Sequence, residues 1–428
     1  MTASGCATYV DSLDKATRAT SAGNYEEALV TMNGALDVPS ADELPNQWKG
    51  DRPLIALERG SLQQSLGRYR GAARDLSAAE GNLELLDLST DPVGTLGSYI
   101  FSDSLKTYRT PPTERLSVNA INMLNYLAVG DLDGAAVEAR RFQVMRDYLA
   151  AQNIQADRPA ALGTYLAGFT FEHRGEGDRA LRYYEEALGG GRLESLDGAV
   201  SRLARANPYR GPRLSQVLSR NGKQGGPTVE RELLVVLALG RVPHREPKRI
   251  PVGLAVGMAG TYVSHDINFL KYGASKVVVY PELVSTPSTL GEPAVQVDGE
   301  AVQVEELADL GSAIRQEYEE MKPKIIAAAL TRMASRAAIA EGIRAGGRQQ
   351  SDLLGDILSI LFESALVAFD RPDTRSWTLL PSRILVARVV LKPGAHDVTV
   401  GFGGRSNRTV TVDAANSDFA TVVVTEPR

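Results

Sequence analysis

Four stretches in the first half of this 428-residue chain share one spacing, and that spacing limits what the chain can become. They are GNYEEALVTMNGA (23–35), GRYRGAARDLSAA (67–79), GDLDGAAVEARRF (130–142) and GEGDRALRYYEEA (175–187). Each begins with Gly and carries Ala five positions later. A third residue follows at +9 and a fourth at +12, as in Gly23/Ala28/Met32/Ala35, Gly67/Ala72/Leu76/Ala79, Gly130/Ala135/Ala139/Phe142 and Gly175/Ala180/Tyr184/Ala187. Positions +5, +9 and +12 share one helical face. The Gly suits a turn that needs positive φ, and the small Ala lets a second helix approach the first. A helical pattern also precedes every Gly, so the repeat unit is a helical hairpin.

The spacing is similar to the tetratricopeptide pattern. The anchors lie 44, 63 and 45 residues apart, against a usual period of about 34. Insertions are therefore expected, the largest around STDPVGTLGSYIFSDSLKTYRTPPTERL. Such hairpins stack into a solenoid whose concave face holds a peptide or partner. The competing reading is a helical scaffold that presents the C-terminal half. Candidate partner-binding residues are Tyr126, Arg140, Arg141, Tyr165 and Tyr183.

After Leu188 the chain turns to loop-forming composition: GGGR, NPYRGP and NGKQGGPT. GKQGG lacks the full phosphate-loop pattern. The stretch VERELLVVLALGRV is expected to be a short helix. Strand signals begin at Arg249, with Asp298-Gly299 as a two-residue hairpin turn. Two helices are then expected, the second starting at Pro323. Residues 351–369 follow as an apolar helix, read as core, with a contact helix as the alternative. RILVARVVL, HDVTVGF, RTVTVDA and FATVVVTE close the chain as strands.

The expected class is α+β. A tether spans 1–9, an all-α tetratricopeptide-like solenoid spans 10–200, and a linker with a capping helix spans 201–249. An α+β domain spans 250–428 and ends in a small antiparallel sheet or sandwich.

Composition narrows the functions. A net charge of −5 does not build a nucleic-acid surface. No apolar run reaches the roughly 20 residues of a membrane span. One cysteine excludes an internal disulfide and a multi-thiolate zinc site. His173, His244, His265 and His396 form no local ligand pair. No cofactor or metal is expected. His265 with Asp266, or His396 with Asp397, would support an enzyme only inside a polar pocket with other ionisable groups.

The lone cysteine, Cys6, follows Ala3, Ser4 and Gly5. Small residues before a Cys resemble a lipobox, in which the thiol takes a diacylglycerol. Ala3 stands where Leu is usual, and the basic and apolar parts of a signal peptide are not present ahead of it. A truncated signal peptide is expected, and a chance terminal cysteine is the alternative.

ERLSVNAINMLNYLAVGDLDGAAVEARRF (114–142), DTRSWTLLPSRILVARVVLKPGAHDV (373–398) and KPKIIAAALTRMASRAA resemble a family of bacterial tetratricopeptide lipoproteins of unassigned activity. That resemblance implies a periplasm-facing protein anchored in the outer membrane through lipid. Its genes would lie near lipoproteins that activate penicillin-binding proteins. Within it, Asp373, Thr374, Arg375, Ser376, Trp377 and Pro381 form a motif with two readings. In the structural one, Asp373 caps a turn, Arg375 caps helix 351–369 and Trp377 plugs a helix–sheet interface. In the other, Trp377 and Arg375 anchor a partner or glycan. The expected function is a non-catalytic periplasmic adaptor binding an envelope protein. Alternatives are a glycan- or small-ligand-binding module and a subunit of an oligomeric envelope complex.

Overall fold

The computed structural model describes residues 9–85, 108–152, 154, 157–221, 231–262, 277–347, 372–403, 405–415 and 417–428. Cys6, His265, Asp266 and the apolar stretch 351–369 lie outside the described residues.

The first half is built of antiparallel helix pairs: α1 (Tyr9–Ser21) with α2 (Tyr25–Leu36), and α3 (Arg52–Ser65) with α4 (Tyr69–Glu80). Two more pairs are α5 (Pro112–Ala128) with α6 (Leu132–Ala151), and α7 (Asp157–His173) with α8 (Gly177–Ala187). All four turns use one device. Gly23, Gly67, Gly130 and Gly175 have φ of +82°, +73°, +74° and +77°. The next residue's N–H then reaches back to a carbonyl five residues earlier: Asn24 to Ala19, Arg68 to Gln63, Asp131 to Tyr126 and Glu176 to Phe171, at 2.8–2.9 Å. This is a Schellman cap, which satisfies carbonyls the helix end leaves open. Ala28, Ala72, Ala135 and Ala180 are fully buried where the paired helices meet.

The helices α3 and α5 are buried almost all round, polar residues included. A helix of that kind needs cover on both sides and partners for its polar groups. Arg59 on α3 donates to Asp75 at 2.6 and 2.8 Å and to Asn33 at 3.1 Å. Gln64 donates to Asn125 and accepts from Thr425, each at 2.8 Å.

That cover is a mixed sheet in the order β12-β3-β9-β8, with β3 at Glu232–Leu239, β8 at Glu305–Asp309, β9 at Arg383–Val390 and β12 at Phe419–Glu426. The final strand β12 runs parallel to β3, and the other pairs are antiparallel. Strand β3 is the stretch expected as a capping helix. Its run ELLVVLAL is buried at every position. A continuous apolar run of this length fits a buried helix or a strand covered on both faces, and pairing with β9 and β12 makes it a strand. The interval 201–249 is thus occupied by helices α9 (Leu196–Ala206) and α10 (Pro212–Asn221), then by β3 and most of β4 (His244–Pro251).

Alternate residues of β3 face two cores. Leu234, Val236 and Ala238 join the core shared with the helices, which extends from Ala16 to Val423. Leu233, Val235 and Leu237 face a second sheet, β11-β10-β6-β7, formed by Arg405–Asp413, Ala395–Phe402, Pro293–Val297 and Glu300–Val302. The layers are helices, sheet and sheet, so the C-terminal strands form a sandwich within an α+β molecule. The β6–β7 turn is Asp298-Gly299, both at positive φ (52° and 84°), as a two-residue hairpin requires.

Strand β4 pairs with β5 (Val277–Val284) as a separate ribbon, flanked by α11 (Val252–Ala259) and α12 (Leu310–Gly347). The two helices expected on either side of Pro323 are one, α12, with Pro323 inside it. Interior proline costs a helix about 3 kcal/mol. Tyr318, Met321, Ile325 and Ile326 are buried on both sides of it and offset that cost. VEELAD, read as the start of a helix, instead supplies strand β8.

Candidate functional site

Carboxylates far apart in sequence bind backbone N–H groups across the junction between helices and sheet. Glu317 on α12 accepts from the Thr113 N–H in the first turn of α5 at 2.8 Å. Glu305 accepts from Glu194 and Ser195 just before α9, and Glu185 from Leu214 at the start of α10. Helix N-termini favour such anions.

Residues 372–381 cross this junction without regular secondary structure and turn at 378–380. Glu58 on α3 accepts from the Thr378 N–H at 2.7 Å, the Thr378 hydroxyl at 3.0 Å and the Leu379 N–H at 2.9 Å. Trp377 is wholly buried, and its indole N–H donates to Ser61 Oγ at 2.9 Å. The Trp377 N–H meets Glu114, which also accepts from the Tyr108 hydroxyl at 2.7 Å. Arg375 binds both oxygens of Asp373 and reaches Asp51 at the start of α3. Burial opposes its charge, but Asp373 and Asp51 hold its pKa above the ordinary arginine value. Arg375 therefore pairs with acids in the junction and with the turn before α3. Ser376 and Pro381 are buried, and Thr374 is half-buried.

A second constellation escaped the sequence reading because its members come from five elements. Arg388 on β9 binds Glu172 of α7 at 2.8 Å and Glu232 of β3, and donates to the Tyr184 hydroxyl at 3.0 Å. Arg202 on α9 also binds Glu172 and approaches Glu232 at 3.6 Å. Burial pushes both carboxyls up, but Arg388 outweighs it and holds them below their ordinary range. Burial raises the Tyr184 hydroxyl well above the usual tyrosine value. His173 completes the group, its Nε2 buried, 3.4 Å from Glu232 and without a hydrogen-bond partner among the described residues.

Glu172, His173 and Glu232 place one ligand atom each within 4.8 Å of one another, a spacing that suits a metal ion. The chemistry of the set does not. Two guanidinium charges already balance the two carboxylates, and a dication would add uncompensated charge to a buried site. The cluster ties helices to sheet.

The sequence candidates for partner binding do not share a face. Tyr165 and Tyr183 belong to the helical core; Tyr165 bonds Ser195 Oγ at 2.9 Å, and Tyr183 stacks on Phe171 with ring centroids 5.5 Å apart. The repeat alone does not tell which helix is covered twice, so it does not separate these two core rings from the other candidates. Tyr126 is half-buried, its ring against the α-carbon of Gly134. Arg140 and Arg141 are exposed on α6, with Arg141 bonded to Glu80 and Glu138. His396 uses Nδ1 on Asp298 at 2.6 Å and Nε2 on the Lys392 carbonyl at 2.7 Å, at a hairpin rim.

Between the end of β3 and the start of β6 lies a cavity of about 130 Å³, lined by Gly240, Arg241, Thr286, Ser288 and Ser382 among others. That is well below the roughly 300 Å³ of the smallest ordinary ligand pockets. No helix among the described residues is long and apolar enough to cross a membrane. The chain matches no protein-family model and no curated protein.

Proposed function

We propose that this protein is a non-catalytic scaffold of the bacterial envelope, a periplasm-facing lipoprotein held in the outer membrane by lipid on Cys6. Its four helix pairs are tetratricopeptide-type repeats, and its partner is another envelope protein, in a pathway such as cell-wall assembly. One observation carries this reading over a glycan-binding module. Trp377 is buried against Ser61 and Arg375 is paired with Asp373 and Asp51, so the best anchors of the motif are spent joining helices to sheet.

The same observation moves the partner surface. The face of the array formed by α3 and α5 is covered by β12 and by residues 372–381. Helix α6 keeps an open face. On α6, Val137, Arg141, Val144 and Tyr148 recur at i, i+4, i+7 and i+11, and all four are exposed. A stripe of that kind is how a helix face meets another protein.

The test is an affinity capture from native envelopes, with the full chain expressed behind a lipoprotein signal peptide as bait. The Val144→Asp/Tyr148→Asp variant serves as comparison. A specific protein captured by the first and lost by the second supports the adaptor reading. Equal capture by both removes α6 as the surface. Capture of nothing removes the adaptor reading.

A further inference from the structure

Helix α11 is VGLAVGMA, eight residues without one polar side chain. A helix apolar all round belongs in a core or in lipid. This one is on the surface. Val252, Ala255 and Ala259 are buried on one side, whereas Gly253, Leu254 and Gly257 are exposed on the other. Leu254 is 54% exposed, Tyr262 just beyond the helix 45%, and Val277, paired with Pro251 at the base of the helix, 47%. Three of the eight large apolar side chains exposed among the described residues thus gather at one corner.

Cations rim that corner. Arg249 and Lys248 are exposed on β4, two and three residues ahead of Pro251, and Lys324 on α12 places its ammonium 5.6 Å from the Tyr262 ring. Glu282 on β5 is shared between Lys248 and Lys322 at 3.2 and 2.9 Å. Positive charge beside an exposed apolar helix with a terminal tyrosine is the arrangement of an interfacial membrane contact.

We propose that α11, with Tyr262 and Val277, is a docking patch for an anionic lipid surface. Leu254 and Val277 enter the acyl boundary, the Tyr262 hydroxyl stays at headgroup level, and Arg249 and Lys324 face lipid phosphates. At 1.5 Å per residue the helix is about 12 Å long, so it lies in the interface and does not span it. A second copy of this chain is the other apolar occupant. It is disfavoured because an isologous contact would set Arg249 and Lys324 against their own copies. The patch would orient the scaffold on the membrane, and it is independent of any lipid on Cys6.

The test is co-sedimentation of the full, unacylated chain with vesicles. One set mixes phosphatidylglycerol with phosphatidylethanolamine and the other is phosphatidylcholine alone. Binding to the anionic set only, weakened by salt, is expected. Leu254→Glu should lower the partition coefficient roughly ten-fold, the scale of one leucine's apolar contact. Arg249→Glu should lower it several-fold. Val390→Glu, at an exposed apolar position on β9, should leave it unchanged; Arg249→Glu and Tyr262→Glu keep the test decisive if Leu254→Glu melts early. Absence of binding to anionic vesicles, or binding indifferent to Leu254→Glu and Arg249→Glu, overturns the proposal. So does a dimer in light scattering that Leu254→Glu dissociates without any vesicle binding. None of these results bears on capture through α6, so failure here leaves the adaptor reading standing.

Discussion

The Trp377 indole donates to the Ser61 hydroxyl at 2.9 Å across 316 residues of sequence. The bond joins the segment just ahead of β9 to the middle of α3, in the second helical pair. It makes the two halves of the chain one folding unit with a common core.

Replacing Trp377 with Ala should therefore destabilise the whole molecule. Emptying a buried tryptophan site costs about 3–5 kcal/mol, while the Ser61 hydroxyl keeps its bond to the Leu57 carbonyl at 3.1 Å. Urea unfolding should show one transition, displaced as a unit. A loss below about 1 kcal/mol, or a helical transition that stays in place while the sheet melts, would contradict the single-unit view.

Gly67 and Gly60 should respond to Ala for different reasons. Gly67 has φ +73° and open space where a β-carbon would stand. Gly67→Ala should then cost about 1–2 kcal/mol, the left-handed penalty alone, and Gly67→Asn less. At Gly60 a β-carbon would fall 2.1 Å from Leu76 Cδ1, so the buried Leu76 side chain or the packing of α3 on α4 must shift, and Gly60→Ala should cost more than Gly67→Ala. Thermal melts that rank Gly60→Ala as the milder change would show the close approach to be unimportant.

Glu317 gives stability an unusual pH slope. Burial pushes its carboxyl up to about 7 from an ordinary 4.5. Between those values the folded state holds more protons than the unfolded state, so stability falls as pH rises through that window. The full span amounts to about 3 kcal/mol. Glu317→Gln keeps an acceptor for the Thr113 N–H and carries no charge. It should match wild type near pH 4.5 and exceed it at pH 8. Glu114, raised mainly by burial, slopes the same way in both proteins. Parallel stability curves for wild type and variant would refute this assignment.

Arg388 acts in the opposite sense. It holds Glu172 and Glu232 below the ordinary carboxylate range, so their contribution is present above the unfolded pKa and lost as pH falls through the folded values. Arg388→Met leaves two buried carboxylates with Arg202 and should cost about 3–5 kcal/mol at neutral pH. Arg388→Met/Glu232→Gln should recover part of that loss. A double variant no better than the single one would argue that packing, and not charge, makes Arg388 important.

The turns and hairpins were legible because their chemistry is local. A glycine followed by Ala at +5 marks each Schellman turn, and Asp298-Gly299 marks the β6–β7 hairpin wherever the rest of the chain lies. VERELLVVLALGRV was misread because an apolar run of that length suits a short buried helix as well as a strand. Strand β12, arriving from the far end of the chain, settles the matter by pairing with it. Pro323 was misread as a helix start because its local cost is real, and only the buried residues around it show what offsets that cost. The charge cluster could not be read at all: Glu172, Arg202, Glu232 and Arg388 have no spacing in common.

By itself, the sequence determined what a few neighbouring residues decide: the four helix pairs, their turns, the C-terminal strands and the single cysteine. Tertiary structure alone decided which faces are covered. Burial of a helix face depends on what packs against it from elsewhere in the chain. Trp377 and Arg375, plausible on a surface, became core where residues 372–381 meet α3 and α5, and Tyr165 where Ser195 and strand β8 meet α7. Leu254, plausible in a core, was left outside.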